Sequence, residues 1–301
     1  MYSPTEAFRF QGGPIDGSDG PEGLINGWPL DEAYVDYVVD SPDAGIVNDT
    51  EQFAELSSAL LESLNEAGGE ENIATGWHAI EFLLWGQDLD PEGPGNRLVD
   101  DYLVEKTPSA TRRGQYLRLT ASMLVEHIAG LVDQWKPDNT ENYRAGFVAD
   151  PQEATRLILT GMGMLAGDEL AGERMAVAWE TRDQEDEQSC FSDTTLMDIR
   201  GNLEGVVASY TGRHGGATGV SMKDWMSSQN REASKAIDEA IELAQKAVSA
   251  ITGPFDVAIQ APDDDPRRIA VGDAITAIEE LAEAIAGSAE MVGVQINLEG
   301  G

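Results

Sequence analysis

The chain has 301 residues, room for one large domain or two ordinary ones, and 41% of them are apolar, which supports a sizeable core and excludes wholesale disorder. Its 55 acidic against 19 basic residues give a formal charge of −36, which excludes nucleic acid and anionic membrane surfaces as natural partners, because both need a basic face. The single cysteine, Cys190, excludes an intrachain disulfide, and no apolar run is long enough to span a bilayer.

In chain order, "QGGPIDGSDGPEG" is too rich in glycine and proline for a regular element. "WPLDEAYVDYVV" opens a short helix, with Pro29, Asp31 and Glu32 suited to a first turn. "DTEQFAELSSALLESLNEAGG" predicts a helix with a stripe at Phe53, Leu56, Leu60 and Leu64, ended by Gly68-Gly69. The next helix covers 71–88 and stops before "DLDPEGPGN"; a long one follows over 109–135. "KPDNTENYRAGFVADP" reads as a connector, which places a domain boundary near 145–152. Beyond it, helices are expected over 151–183, in "TLMDIRGNLEGVVASY" and in "SMKDWMSSQ". A further helix carries a stripe from Ile237 to Ile251, and the last one from Val271 to Val292. Strand-type alternation is scarce.

These elements predict an all-α protein of two antiparallel four-helix bundles, 1–148 and 149–301. Each half holds one unusually apolar helix broken by charge, 71–88 and 160–180, which hints at a structural repeat. Only five of the basic residues are lysine, and such a carboxylate-rich surface suits a salty habitat or a field that gathers cations. The first residues lack a basic segment followed by an apolar one. Either the protein is cytosolic, or a signal peptide precedes the sequence and is removed.

The chemistry concentrates in "GWHAIEFLLWGQD". His78 and Glu81 sit three residues apart, about 60° around a helix, in a stripe with Trp85 and Asp88. Ile73, Trp77, Ile80 and Leu84 form another stripe, so the helix is expected to be buried nearly all round. A buried carboxylate needs a partner. Spacing alone leaves two readings open: an inert His–Glu pair, or a metal site or catalytic pair. Neither His-Glu-x-x-His nor His-x-x-Glu-His is present, and only His127 and His214 remain, so any metal site would be rich in carboxylates. "GMGMLAGDELAGERM" adds Glu169 and Glu173 on one face with Arg174 beside them. "EDEQSCFSDTT" adds Asp186, Glu187, Ser189, Cys190, Ser192 and Asp193, most of them ordinary loop polar groups. His127 reads as a boundary histidine, and His214 lies in a glycine-rich loop that is not a phosphate loop.

"NIATGWHAIEFLLWGQD" resembles the Gly-x-His-x-x-Glu signature of the imelysin family, with Gly76, His78 and Glu81 in its places. "EGLINGWPLDEAYVDYV" upstream and "GMGMLAGDELAGERM…QEDEQSCFSDTT" downstream agree in order, so the resemblance spans roughly residues 8–210. It implies a two-domain helical fold with the signature helix facing a cleft, and a bacterial protein of the periplasm or outer membrane linked to iron uptake. It implies a metal ion, iron or zinc, held by His78 and Glu81 with Glu173 and Asp193 as possible completions, and Gly76, Arg174 and Ser189 elsewhere in the cleft. A divalent or trivalent ion, a small ligand or other envelope iron-uptake components would then be the partners. Two alternatives stand beside it: a metallopeptidase with Glu81 as general base, and a non-enzymatic ligand-binding module. Gln188 stands where the resemblance would lead one to expect histidine.

Overall fold

A computed structural model describes residues 13–15, 20–90 and 92–298. The expected loop character of residues 1–12 and 16–19 lies outside the described residues. The regular structure of the described residues is helical apart from one two-stranded hairpin and an isolated bridge between Val38 and Ser41, so the all-α expectation holds. It divides into two compact units: 21–134 joined by 189–193, and 135–188 with 194–301 and the described residues of 1–20. The division therefore falls at the end of a long helix rather than at 148/149, and five downstream residues return to the N-terminal unit.

The N-terminal unit holds α1 (Glu22–Asn26), α2 (Glu32–Val35), α3 (Ser58–Leu64), α4 (Gly76–Trp85) and α5 (Ala110–Gln134), with a 3₁₀ turn at Val99–Tyr102. Asp31 caps α2 by accepting the Ala33 amide. The helix expected over 49–69 shrinks to α3. The reason is local competition for the backbone: Asp49 accepts the amides of Glu51 and Gln52, and the Arg112 guanidinium takes the carbonyls of Ile46, Phe53 and Ala54. Helix starts again only at Ser57, which caps the Leu60 amide.

The α4 helix is set by its ends. Gly76 stands at φ +85°, and a Cβ there would lie 2.5 Å from the Ile25 carbonyl oxygen, so only glycine fits. Thr75 ties the same point to the Leu24 carbonyl and to Asn65. Gly86 at φ +72° ends the helix, its amide donating to the Phe82 carbonyl. The expectation of burial all round is corrected: Trp77 is 39% and Leu84 46% exposed, while Ala79, Phe82 and Leu83 are fully buried. The buried face packs with Tyr116 and Met123 of α5 and with Cys190 and Phe191 of the returning segment. Burying a ring such as Phe82 contributes about 2–3 kcal/mol.

The C-terminal unit holds α6 (Tyr143–Ala149), α7 (Pro151–Met164), a π-helix (Leu165–Ala176), α8 (Val177–Thr181), α9 (Thr195–Thr211), β1 (Arg213–His214), β2 (Ala217–Thr218), α10 (Met222–Gln229), α11 (Arg231–Ala250), α12 (Phe255–Gln260) and α13 (Pro266–Met291). A 3₁₀ turn covers Gln184–Asp186. The expected connector contains α6, because Trp135, Tyr143 and Phe147 stack on one another at 5.2–5.9 Å. The stripes read from sequence on α11 and α13 are buried: Ile237, Ala244, Ile278 and Ile285 among them lie in one core with α7, the π-helix and α9. Ser221 caps α10 through the Asp224 amide and donates to the Asp224 carboxylate, as its spacing predicts.

The expected helix over 151–183 is continuous, but its middle is π rather than α for twelve residues, whereas most π-helical stretches are single turns. Glycines let this segment run close to its neighbours: a Cβ on Gly167 would lie 2.9 Å from the Ala282 Cβ of α13.

Candidate functional site

Within the N-terminal unit, α4 projects His78 and Glu81 toward the core. His78 is 3% and Glu81 9% exposed. Nδ1 of His78 lies 3.1 Å from Oε2 of Glu81. Oε1 of Glu81 accepts the Ser192 amide at 3.0 Å and the Ser192 hydroxyl at 2.5 Å. Ser192 lies 111 residues away in sequence, and the returning segment 189–193 brings it to the carboxylate.

This network fixes the imidazole. An ionised Glu81 only accepts, so His78 donates from Nδ1. In the neutral ring the lone pair then sits on Nε2, which is buried and has no hydrogen-bond partner among the described residues. Trp28, on the turn between α1 and α2, packs on the imidazole with ring centroids 4.7 Å apart and planes tilted 53°. Phe191 meets Trp28 at 5.9 Å and Phe82 at 5.1 Å, closing the aromatic wall. The signature glycine serves this arrangement: by admitting the backbone of Leu24 and Ile25 against residue 76, it holds the Trp28 turn beside the start of α4.

The other residues singled out in the sequence divide between the units. Ser189 and Asp193 share the returning segment with Ser192. Ser189 is buried, and Asp193 holds φ +54°. The serine that meets Glu81 is Ser192, which sequence reasoning passed over as one polar loop residue among several; no local spacing marks it. Glu173 and Arg174 belong to the C-terminal unit. There the π-helix sets Arg174 on Glu169, five residues back, with Nε donating to Oε1 at 2.7 Å. Its Nη1 reaches the Asn202 side-chain oxygen at 2.8 Å. Glu173 is exposed, while Glu169, expected on the same face, pairs with Arg174 five residues on. Cys190 is buried and packed with Phe191. His127 is half-buried on α5, and His214 is exposed in the β1–β2 hairpin.

Among the described residues, no group of three or more His, Cys, Asp or Glu side chains is placed to hold a metal ion. The donor chemistry fits one ligand, His78 Nε2, oriented through its other nitrogen by a carboxylate, as metal-bound histidines are. It does not fit a resident centre with three or four protein ligands.

The imelysin family model matches residues 1–285. Iron-regulated protein A of Synechococcus elongatus is 25% identical over 293 residues, covering 94% of this chain and 69% of that protein. The crystal structure of an iron-regulated protein A precursor from Parabacteroides distasonis matches with a TM-score of 0.70 at 16% identity, over 97% of this chain and 79% of that one, a likeness of fold. With the Gly76, His78 and Glu81 signature inside a match of this extent, the chain belongs to the imelysin family.

Proposed function

We propose that this protein has an iron-related function in the bacterial cell envelope and that the His78–Glu81–Ser192 network is its ligand-binding site. The observation that carries this reading is the buried Nε2 of His78. It has no hydrogen-bond partner among the described residues, while Nδ1 is held by a carboxylate that is itself held by two donors of Ser192. A nitrogen oriented at that cost of order and then left without an acceptor or donor is arranged for a visitor. The name of the Synechococcus relative supports iron as the first ion to test. The −36 charge favours the approach of cations.

Glu81 in this reading orients His78, with Oε2 on Nδ1 and Oε1 held by Ser192. An ion at Nε2 keeps other ligands, water or a chelator's oxygens, which suits transient capture more than permanent tenancy. Iron uptake in the periplasm or at the outer membrane is the matching cellular role. Peptidase chemistry is less well supported, because a general base at Glu81 would have to release Ser192 or His78 first.

Titration calorimetry with Fe(II), Zn(II) and ferric citrate tests this. Wild type should bind at least one probe, and His78→Ala should abolish that binding. Glu81→Gln should weaken it about 10–100-fold, the usual effect of losing an orienting partner. Equal binding by wild type and His78→Ala would overturn the proposal.

A further inference from the structure

His78 is 3% exposed, so its open nitrogen is out of reach of any ligand in this conformation. Something beside it has to move. The neighbours differ in how firmly they are held. Phe82 and Phe191 are buried in the core, at 0% and 1% exposure. Trp28 is only half-buried: it packs at the edge of the core, meets the His78 and Phe191 rings and, among the described residues, makes no hydrogen bond. Its backbone, in contrast, is anchored. A Cβ on Gly27 would lie 2.7 Å from the Ile73 side chain, and the preceding α1 carbonyls press on Gly76. A fixed backbone carrying a side chain with no polar tether is the construction of a side chain that rotates while its loop stays.

We propose that Trp28 is the gate to His78 and the residue that selects what reaches Nε2. With the indole down on the imidazole, the site is closed. Rotation of the indole toward solvent uncovers Nε2 between the vacated place and the Phe191 ring. The opening then admits a small species that presents an open coordination position or a hydrogen-bond donor to that nitrogen, and binding and closure compete for the same space. The inference rests on His78 being the ligand-binding group, but it makes a claim about access that stands or falls without any ligand.

Carbethoxylation by diethyl pyrocarbonate, mapped by mass spectrometry, reads that access. The reagent attaches at the imidazole lone pair, and His214 and His127 serve as references in the same molecule. If the closed state holds 90% or more of the population, His78 in wild type should react at least about tenfold more slowly than the exposed His214. Trp28→Ala should raise the His78 rate about tenfold while His127 and His214 keep theirs. Trp28→Phe, with a smaller ring, should fall between, at an unchanged melting temperature. If Trp28→Ala accelerates all three histidines, the unit has loosened, and Trp28→Phe decides the question. A His78 rate within twofold of wild type in the folded variant would overturn the gate, as would a wild-type His78 as reactive as His214. Failure of metal binding with a gate that still reads out would remove the function proposed above and leave the gate standing.

Discussion

Asp36 and Glu81 are both buried carboxylates of the N-terminal unit, and their surroundings are built to opposite ends. Asp36, fully buried, accepts Arg113 through Nε at 2.5 Å and Nη2 at 3.0 Å, Arg97 through Nη1 at 2.9 Å, and the Asn48 amide at 3.2 Å. Arg97 also reaches Asp101, which takes the Tyr37 hydroxyl as well. Two guanidinium charges face two carboxylates, and Asp36 has nothing left to offer. Glu81 is as well satisfied, but it passes its constraint on to a histidine whose far nitrogen is left open. A buried charge cluster by itself therefore says little about function. What separates the two is where the unsatisfied atom ends up. In the Asp36 cluster it is Nε of Arg97, hidden against Gly86; at Glu81 it is Nε2 of His78, on a ring packed by a half-buried indole.

Breaking the closed cluster should have the largest effect. Arg113→Ala strands part of a buried carboxylate's charge and should cost about 3–5 kcal/mol of unfolding free energy, measured by urea denaturation. A loss below about 1 kcal/mol would mean that Arg97 alone neutralises Asp36. Gly76→Ala comes next. It forces a Cβ to 2.5 Å from the Ile25 carbonyl at φ +85°, and should cost about 2–4 kcal/mol by the same measurement. It should also disturb the Trp28 turn, seen as a change in tryptophan fluorescence. Ser192→Ala sharpens the contrast. It removes a charge-assisted hydrogen bond from Glu81 and should cost about 1.5–3 kcal/mol, while loosening the His78 tautomer, which nitrogen-15 shifts of the imidazole report.

The smallest effect is set by pH. The Tyr102 hydroxyl donates to the Leu83 carbonyl at 2.5 Å, and burial pushes its pKa up from 10 to about 12. The folded state thus holds this proton more tightly than the unfolded chain. The associated stability is full below pH 10 and is lost as pH rises through about 12. Urea midpoints between pH 9 and 12 should fall less steeply for Tyr102→Phe than for wild type. Equal slopes would show that Tyr102 ionises as freely as in the unfolded chain.

Much of the fold was legible because it follows period. The stripes of α11 and α13 and the cap at Ser221 are local statements, and the structure keeps them. The helix read over 49–69 is cut short because the decisive group, Arg112, lies 58 to 66 residues downstream of the carbonyls it takes from the backbone. His78 and Glu81 were legible as a pair because helical spacing brings them together. Ser192 and Trp28 were not, since they meet the pair only through a returning segment and a turn between short helices. The outward faces of Trp77 and Leu84 were misread for a simpler reason: hydrophobicity around a helix does not say which side the core lies on.

The π-helix at Leu165–Ala176 has a consequence for how this chain tolerates change in length. A run of i→i+5 hydrogen bonds carries surplus residue in each turn relative to an α-helix. Removing one residue before Glu169 would let part of the segment relax to α geometry and absorb the loss upstream of the Glu169–Arg174 pair. Removing one between them would turn Arg174 off Glu169 and Asn202. The same helix is thus a slack reserve on one side of that pair and a fixed ruler on the other.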